Sequence, residues 1–550
     1  MPGINPGGKV INVLKLEVLT FSICFFPHFS IKNNTFIFLF GKVMRTSDEL
    51  FKLIKALKPS EKRYFKIYAK KHVLKGKNNY LKLFEVIERQ EVYDEDLVIA
   101  HFPGQTFVKH LSSLKPYLFK LILESLHLYH TDIASGIKEQ IHWITILYEK
   151  GLYASGYKML VKIKESAASY ERFCDVLEIL EWEERYLFAM LDVRKMEDIH
   201  LEKGKVLKKI DNYNSIKILS TRMSMLAAKM GASRKLGDTG LMRACMNHRL
   251  LKNVSFILSE KGKIYFYHSH ITFSIIQGQP EKQYDYSLML ISLFEKSNHL
   301  MSEEIRWYIL AVNNFLYACL RLRRYKDFDD FIGSFKKVPE KFRLPESVAM
   351  RIYILSSHIE MSKFLMTGEF GLGIRKILEV QHTLDRSMVK MDKIRIQFFY
   401  NYSQLYFGAG DLKNALHWCN MVIREPEADI RQDIQSFARI FNLVIHYELG
   451  NQDLLEYAIR STYRFLRKRE RLYEFEKIVI DFLRKGMTRL YNDSELMQAF
   501  QDLKKRIEDI SKNPFERKAL EYFDFISWLE SKIQRKPFAE IVKSKAGFAG

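Results

Sequence analysis

The sequence predicts an all-α fold in which antiparallel helix hairpins repeat along an array, preceded by a small helical cap. Three observations lead there. Only 12 prolines occur in 550 residues, and none lies between Tyr117 and Gln279, so long helices meet few breakers. Apolar residues make up 47% of the chain against 28% charged, enough for a large core, yet 550 residues exceed what one compact core holds. Glycines and polar breaks also recur between helical runs at a nearly fixed interval.

Residues 1 to 43 do not fit that pattern. The uncharged, Phe-rich run "VLTFSICFFPHFSI" is interrupted by Pro27 and is too short for the roughly 20 residues a spanning helix needs. No small-residue cleavage site follows it, which argues against a signal peptide. "GINPGGKV" matches the spacing of a phosphate-binding loop from Gly3 to Lys9. Val10, however, stands where a hydroxyl must reach magnesium, and no strand can precede Gly3. At Met44 the character changes to "MRTSDELFKLIKAL", the opening of an amphipathic helix. Residues 1 to 43 are therefore expected to be mis-assigned upstream translation or a disordered leader.

Residues 44 to 135 read as a basic helical domain. Between Lys52 and Lys82 stand eleven Lys or Arg and one acid, Glu61. Lys62, Arg63, Lys66 and Lys70 crowd one helix, with Lys62, Lys66 and Lys70 spaced i, i+4, i+8. Such a stripe either follows the phosphates of a nucleic acid or is the solvated face of a cap.

From 136 to 490 the chain repeats. Gly151, Gly278, Gly368, Gly410 and Gly450 mark turns, the last three 42 and 40 residues apart, and the longer gaps place further breaks near 193, 236 and 323. Five residues after a turn glycine comes a small residue, Gly156, Gly373 or Ala415, where two helices can close. Gln283, Phe328 and Leu455 hold that position in other units. Phe399, Tyr402 and Tyr406 form one helical stripe before a turn, read as core. Residues 491 to 550 are expected to be capping helices and a short tail.

Phe399, Tyr402, Ser403, Tyr406, Gly410, Leu412, Ala415, Cys419, Val422 and Pro426 resemble the tetratricopeptide repeat (TPR) in order and spacing, with Phe for its Trp, Tyr for its Leu and Ser for its Gly. The unit around Gly151 is similar through Leu147, Tyr153, Gly156, Leu160 and Ile163. The period exceeds the usual 34 residues. From Met44 onward the chain resembles a family of uncharacterised TPR-like proteins of Bacteroidota. The match runs through "LKPSEKRYFKIYA", "NNYLKLFEVIE", "LKPYLFKLILESL", "ELGNQDLLEYAIRSTYRFL" and "YFDFISWLESKI". The resemblance implies a TPR-like α-solenoid, a right-handed superhelix, and no established activity. By the TPR pattern, His358, Ser362, Tyr400 and Gln404 would face the groove in which such arrays bind peptides.

The second basic cluster is "AIRSTYRFLRKRERLY". Arg460, Arg464, Arg467 and Arg471 recur on one helical stripe, suited to carboxylates or phosphates of a partner, or to Glu474, Glu476 and Asp481 on the next helix. Five separated cysteines suit a reducing cytoplasm and form no zinc pattern. His127 and His130 share a face without a third ligand, and the adjacent Glu183 and Glu184 diverge on a helix. No catalytic fingerprint is present. The expectation is a non-enzymatic cytoplasmic scaffold that calls for no cofactor and binds a protein or peptide. The net charge of +22 keeps nucleic acid as the alternative partner.

Overall fold

The computed structural model describes residues 48–71, 78–130, 132–232, 239–342, 344–385, 395–425, 432–469, 471–488 and 493–547. Every regular element among them is helical. The expected leader and the break near 236 lie outside the described residues. The chain divides into two compact units, Met1–Ile146 and Leu147–Gly550, and residues 491–550 fall within the second.

In the first unit, α1 (Asp48–Ala56), α2 (Pro59–Lys71), α3 (Asn79–Arg89) and α4 (Leu111–Tyr129) surround Leu50, Ile54, Phe65, Phe84, Ile87, Leu118 and Ile122. Phe65 and Phe84 pack with ring centroids 4.6 Å apart. The lone acid of the basic stretch has a structural task. Buried Glu61 accepts the Lys58 backbone N–H at 2.7 Å and meets His130 Nε2 at 2.8 Å, closing the start of α2 and holding it to the end of α4. Asn78 caps α3 by accepting the Leu81 N–H. The helix α5 (Ile133–Glu149) carries the division between the units.

In the second unit one helix ending recurs. The helices α6 (Tyr153–Ser169), α7 (Phe173–Ala189), α8 (Met196–Ala232), α9 (Glu260–Gln277), α10 (Pro280–Lys296), α11 (Ile305–Arg321), α12 (Tyr325–Lys336), α13 (Glu346–Thr367) and α14 (Phe370–Asp385) follow in order. Next come α15 (Arg395–Gly408), α16 (Leu412–Arg424), α17 (Gln432–Glu448), α18 (Gln452–Lys468), α19 (Glu474–Thr488), α20 (Asp493–Ile510), α21 (Phe525–Ile533) and α22 (Phe538–Ala546). Each helix from α6 to α22 packs on its neighbour in the chain, except that α13 takes over from α12 against α11 and α15.

All five turn glycines have positive φ, between 65° and 83°. At each, the following N–H returns to a carbonyl five residues back, as from Leu152 to Leu147, Gln279 to Ser274 and Asp411 to Tyr406. The expected breaks near 193 and 323 occur as Leu191 and Arg323, left-handed at φ 58° and 56°, with the same bonds from Asp192 to Leu187 and Arg324 to Cys319. Glu171 adds a stop that the spacing did not foresee.

Five residues beyond the turn the chain is buried, at Gly156, Gln283, Phe328, Gly373, Ala415 and Leu455 alike. The glycines are required by their neighbours. A Cβ on Gly156 would lie 2.0 Å from the Tyr186 hydroxyl, and one on Gly373 would lie 2.4 Å from Leu405. Beside Ala415, Ser403 donates its hydroxyl to the Ala415 carbonyl at 2.7 Å, fastening α15 to α16. Phe399 and Tyr402 each sit 5.0 Å from the Trp418 ring, so the aromatic stripe is core. Where the position is polar, Gln283 donates to the Asn314 carbonyl.

The second unit closes on itself at its end. Beyond α20, Tyr522 stacks on Phe437 at 3.9 Å and donates to Asp433 at 2.6 Å, while Phe523 packs against Phe407 and Phe441. Trp528 of α21 donates to Glu448, and α22 lies along α13. The C-terminal segment therefore covers parts of α13, α15 and α17, the first helices of successive hairpins.

Replacing Ala415 by Leu is expected to overpack the α15/α16 contact and cost about 1 to 3 kcal/mol. Gly156→Val should do the same against Tyr186. Urea unfolding midpoints check both, and an unchanged midpoint in either variant would mean the close approach is not needed.

Candidate functional site

The arginine face lies on α18. Its inward side is fixed by Leu455, Ile459, Thr462 and Leu466, all buried at i, i+4, i+7 and i+11, which leaves Arg460, Arg464 and Arg467 exposed on the other side. Arg460 pairs with Glu456 one turn earlier, and Arg464 Nε lies 3.4 Å from the Arg460 carbonyl. Among the described residues no carboxylate comes within ion-pair distance of Arg464 or Arg467. The nearby acids are used elsewhere: Glu476 is buried, and Asp481 lies 3.9 Å from Arg484.

One residue departs from the expected stripe. Arg471 stands beyond the end of α18, half-buried, with its backbone N–H bonded to the Leu466 carbonyl. Three arginines, not four, share the helix face. Sequence reasoning missed two neighbours, Leu454 and Tyr457, which are 57% and 69% exposed on the same helix. Tyr457 precedes Arg460 and Arg464 by three and seven residues, so helical periodicity alone could have found it. Arg439 and Arg469 add charge beside α18, their guanidinium carbons 3.9 and 4.1 Å from the Phe465 ring centre. Burial, with the charge of Arg469 added, pushes the Arg439 guanidinium below its ordinary range.

The four groove positions do not assemble into an open site. Tyr400 is 4% exposed and packs on Phe441 in the core, with burial pushing its hydroxyl well above the ordinary tyrosine range. It therefore presents no surface to a ligand, because Tyr522 and its neighbours close over that side of α15. His358 stands between Tyr317 at 2.9 Å and Asn401 at 3.4 Å, a polar line across α11, α13 and α15. Ser362 bonds back to the His358 carbonyl at 3.1 Å, and Gln404 is half-buried.

In the first unit, Pro59, Lys62, Arg63, Lys66, Ile67, Lys70 and Glu88 line a cavity of about 640 Å³. Glu88 lies 3.4 Å from Lys62 and 2.9 Å from Lys66, so two of the four basic residues carry a countercharge. Burial raises the Glu88 carboxyl, but Lys66 and Lys62 outweigh it and hold it below the usual carboxylate range. Arg63 and Lys70 are exposed.

The remaining candidates are absorbed by structure. His130 is held by Glu61, Glu183 pairs with Lys164, and Glu184 pairs with Lys203 and His200. Burial pushes the Cys319 and Cys419 thiols up to about 12, leaving both as neutral packing groups. Among the described residues no group of three or more His, Cys, Asp or Glu is placed to hold a metal, and no helix is long and apolar enough to cross a membrane. Comparison of the chain with protein-family models, curated proteins and solved structures finds no match.

Because its folded pKa is depressed, Glu88 contributes stability that is present above the ordinary carboxylate pKa and lost as pH falls through the folded value. Glu88→Gln is expected to remove that acid dependence, read as a flatter melting profile below about pH 4.5. It also frees Lys62 and Lys66, so elution from heparin should move to higher salt. Elution unchanged from wild type would mean that Glu88 does not restrain this patch.

Proposed function

We propose that the chain is a non-enzymatic cytoplasmic scaffold that binds an acidic protein or peptide on the α18 face. Its second unit is read as a TPR-like α-solenoid, a right-handed superhelix of helix hairpins. The repeated left-handed turn, the buried position five residues beyond it and the close contacts at Gly156 and Gly373 support that reading. One observation carries the binding assignment. Exposed Tyr457, Arg464 and Arg467 stand together on a rigid helix, with no carboxylate of the described chain beside the two arginines.

Arginine forks pair with carboxylate and phosphate through two parallel hydrogen bonds, and Tyr and Arg contribute strongly at interface centres. Three arginines spaced along one stripe repel one another, so an acidic segment lying on them removes repulsion as well as adding contacts. This chemistry needs no cofactor.

A second reading places a nucleic acid on the first unit, supported by the cavity edged by Lys62, Arg63, Lys66 and Lys70. Phosphate binding there must weaken steeply as salt rises. Glu88 offsets part of that charge, which is why the α18 face is favoured.

Reversing Arg460, Arg464 and Arg467 to Glu should abolish capture of the partner, identified by crosslinking and mass spectrometry from the native cell, at an unchanged melting temperature. Capture at the wild-type level by the triple variant would sink the assignment. A gel shift with nucleic acid that survives the triple variant, and disappears as salt rises, would favour the second reading.

A further inference from the structure

The helix α22 lies at the end of the chain and buries only one side. Phe538 is stacked 5.7 Å from Phe370 and sits 5.6 Å from Phe407, while Ile541 and Val542 are 5% and 4% exposed. Below it, the left-handed Gly368 that ends α13 admits the backbone of α22 itself. A Cβ there would lie 3.1 Å from the Ala539 carbonyl and 3.1 Å from the Lys543 nitrogen. Glycine is thus needed twice at this position, once for the turn and once for the helix passing over it.

The attachment of α22 is slight by comparison. Residues 534–537, which join it to α21, are all exposed. The tether from the array is the Arg323 guanidinium, which donates to the Lys545 carbonyl at 2.5 Å. Lys545 itself pairs with Glu530 in the same segment, 2.7 Å away. A nine-residue helix is too short to persist alone in water, so α22 is ordered by the face it covers.

We propose that this face, formed by α13 and the start of α14, is a helix-docking site that α22 fills in cis. In trans it takes an amphipathic helix with an aromatic residue, a small residue directly after it, and aliphatics three and four positions on, the pattern of Phe538, Ala539, Ile541 and Val542. The small residue is set by Gly368, because the incoming backbone approaches there too closely for a larger side chain to turn inward. The tethered helix competes at the high effective concentration of a short linker, so a free helix binds wild type weakly until α22 is displaced. This site is separate from the α18 face, and failure of either leaves the other standing.

The test uses the full chain carrying Phe538→Ala with Val542→Asp, which undocks α22 without truncation. The probe is a fluorescein-labelled synthetic peptide of residues 535–550. Anisotropy is expected to show the peptide binding the variant at least tenfold more tightly than wild type, and Gly368→Val added to the variant should remove that gain. In unmodified protein, hydrogen exchange should open the α22 amides ahead of those of α13. Equal peptide affinity for wild type and variant would overturn the proposal, as would absence of binding to a variant that still melts cooperatively. Loss of cooperative melting, or exchange of α22 in step with α13, would make α22 a fixed part of the core and overturn it equally.

Discussion

The second unit depends on one local constraint, the left-handed residue that stops a helix and sends the chain back. A helix end leaves carbonyls unpaired, and the bond from two residues past the last turn satisfies one of them while reversing direction. Gly151, Gly278, Gly368, Gly410 and Gly450 adopt this conformation without steric penalty. Glu171, Leu191, Arg323 and Arg535 adopt it against the preference of their side chains. A strained φ of this kind costs on the order of 1 kcal/mol or more and persists only where the surroundings over-determine it. The same five-residue return bond at Arg172, Asp192, Arg324 and Lys536 is part of what holds it.

Once the turn is fixed, the register of the next helix follows, and so does the burial of the position five residues on. That position meets the preceding or following helix whatever its size. Gly156 and Gly373 allow Tyr186 and Leu405 into contact, whereas Phe328 and Leu455 fill the space themselves. Glu171 shows how a strained turn is used further. Its carboxylate accepts the backbone N–H groups of Glu260 and Lys261 at 2.7 Å each, and the Lys261 ammonium returns to the Tyr170 carbonyl. A turn between α6 and α7 thereby caps α9, ninety residues onward, in the way a capping residue serves its own helix.

The helical class, the glycine turns and the core stripe of Phe399, Tyr402 and Tyr406 were legible because each follows from local periodicity or backbone conformation. The stop at Glu171 was not, since a residue held left-handed by tertiary contacts leaves no glycine to read. Arg471 was placed on the α18 stripe because periodicity runs on past a helix end that Arg469 gives no signal for. Tyr400 was misplaced for a different reason. Its outward register is a property of one hairpin, while its burial depends on Tyr522, more than a hundred residues later, and no local pattern carries that contact. Lys62 and Lys66 looked unpaired for the same reason, since Glu88 comes from another helix.

The C-terminal segment decides which surfaces remain for binding. By covering parts of α13, α15 and α17, it takes from the array the positions where a TPR groove would present His358 and Tyr400. The inner polar line of Tyr317, His358 and Asn401 then serves cohesion, each group satisfied by the next as burial demands. What is left with unspent donors is the outward side of α18, where Arg464 and Arg467 meet water. Those guanidiniums lose nothing by waiting in solvent, because a surface charge is well hydrated and its internal pairing is worth little. An anionic partner that displaces that water gains bidentate bonds at sites already held in place by Leu455, Ile459 and Leu466. The stability of the helix and the specificity of its exposed face therefore rest on opposite sides of the same seventeen residues.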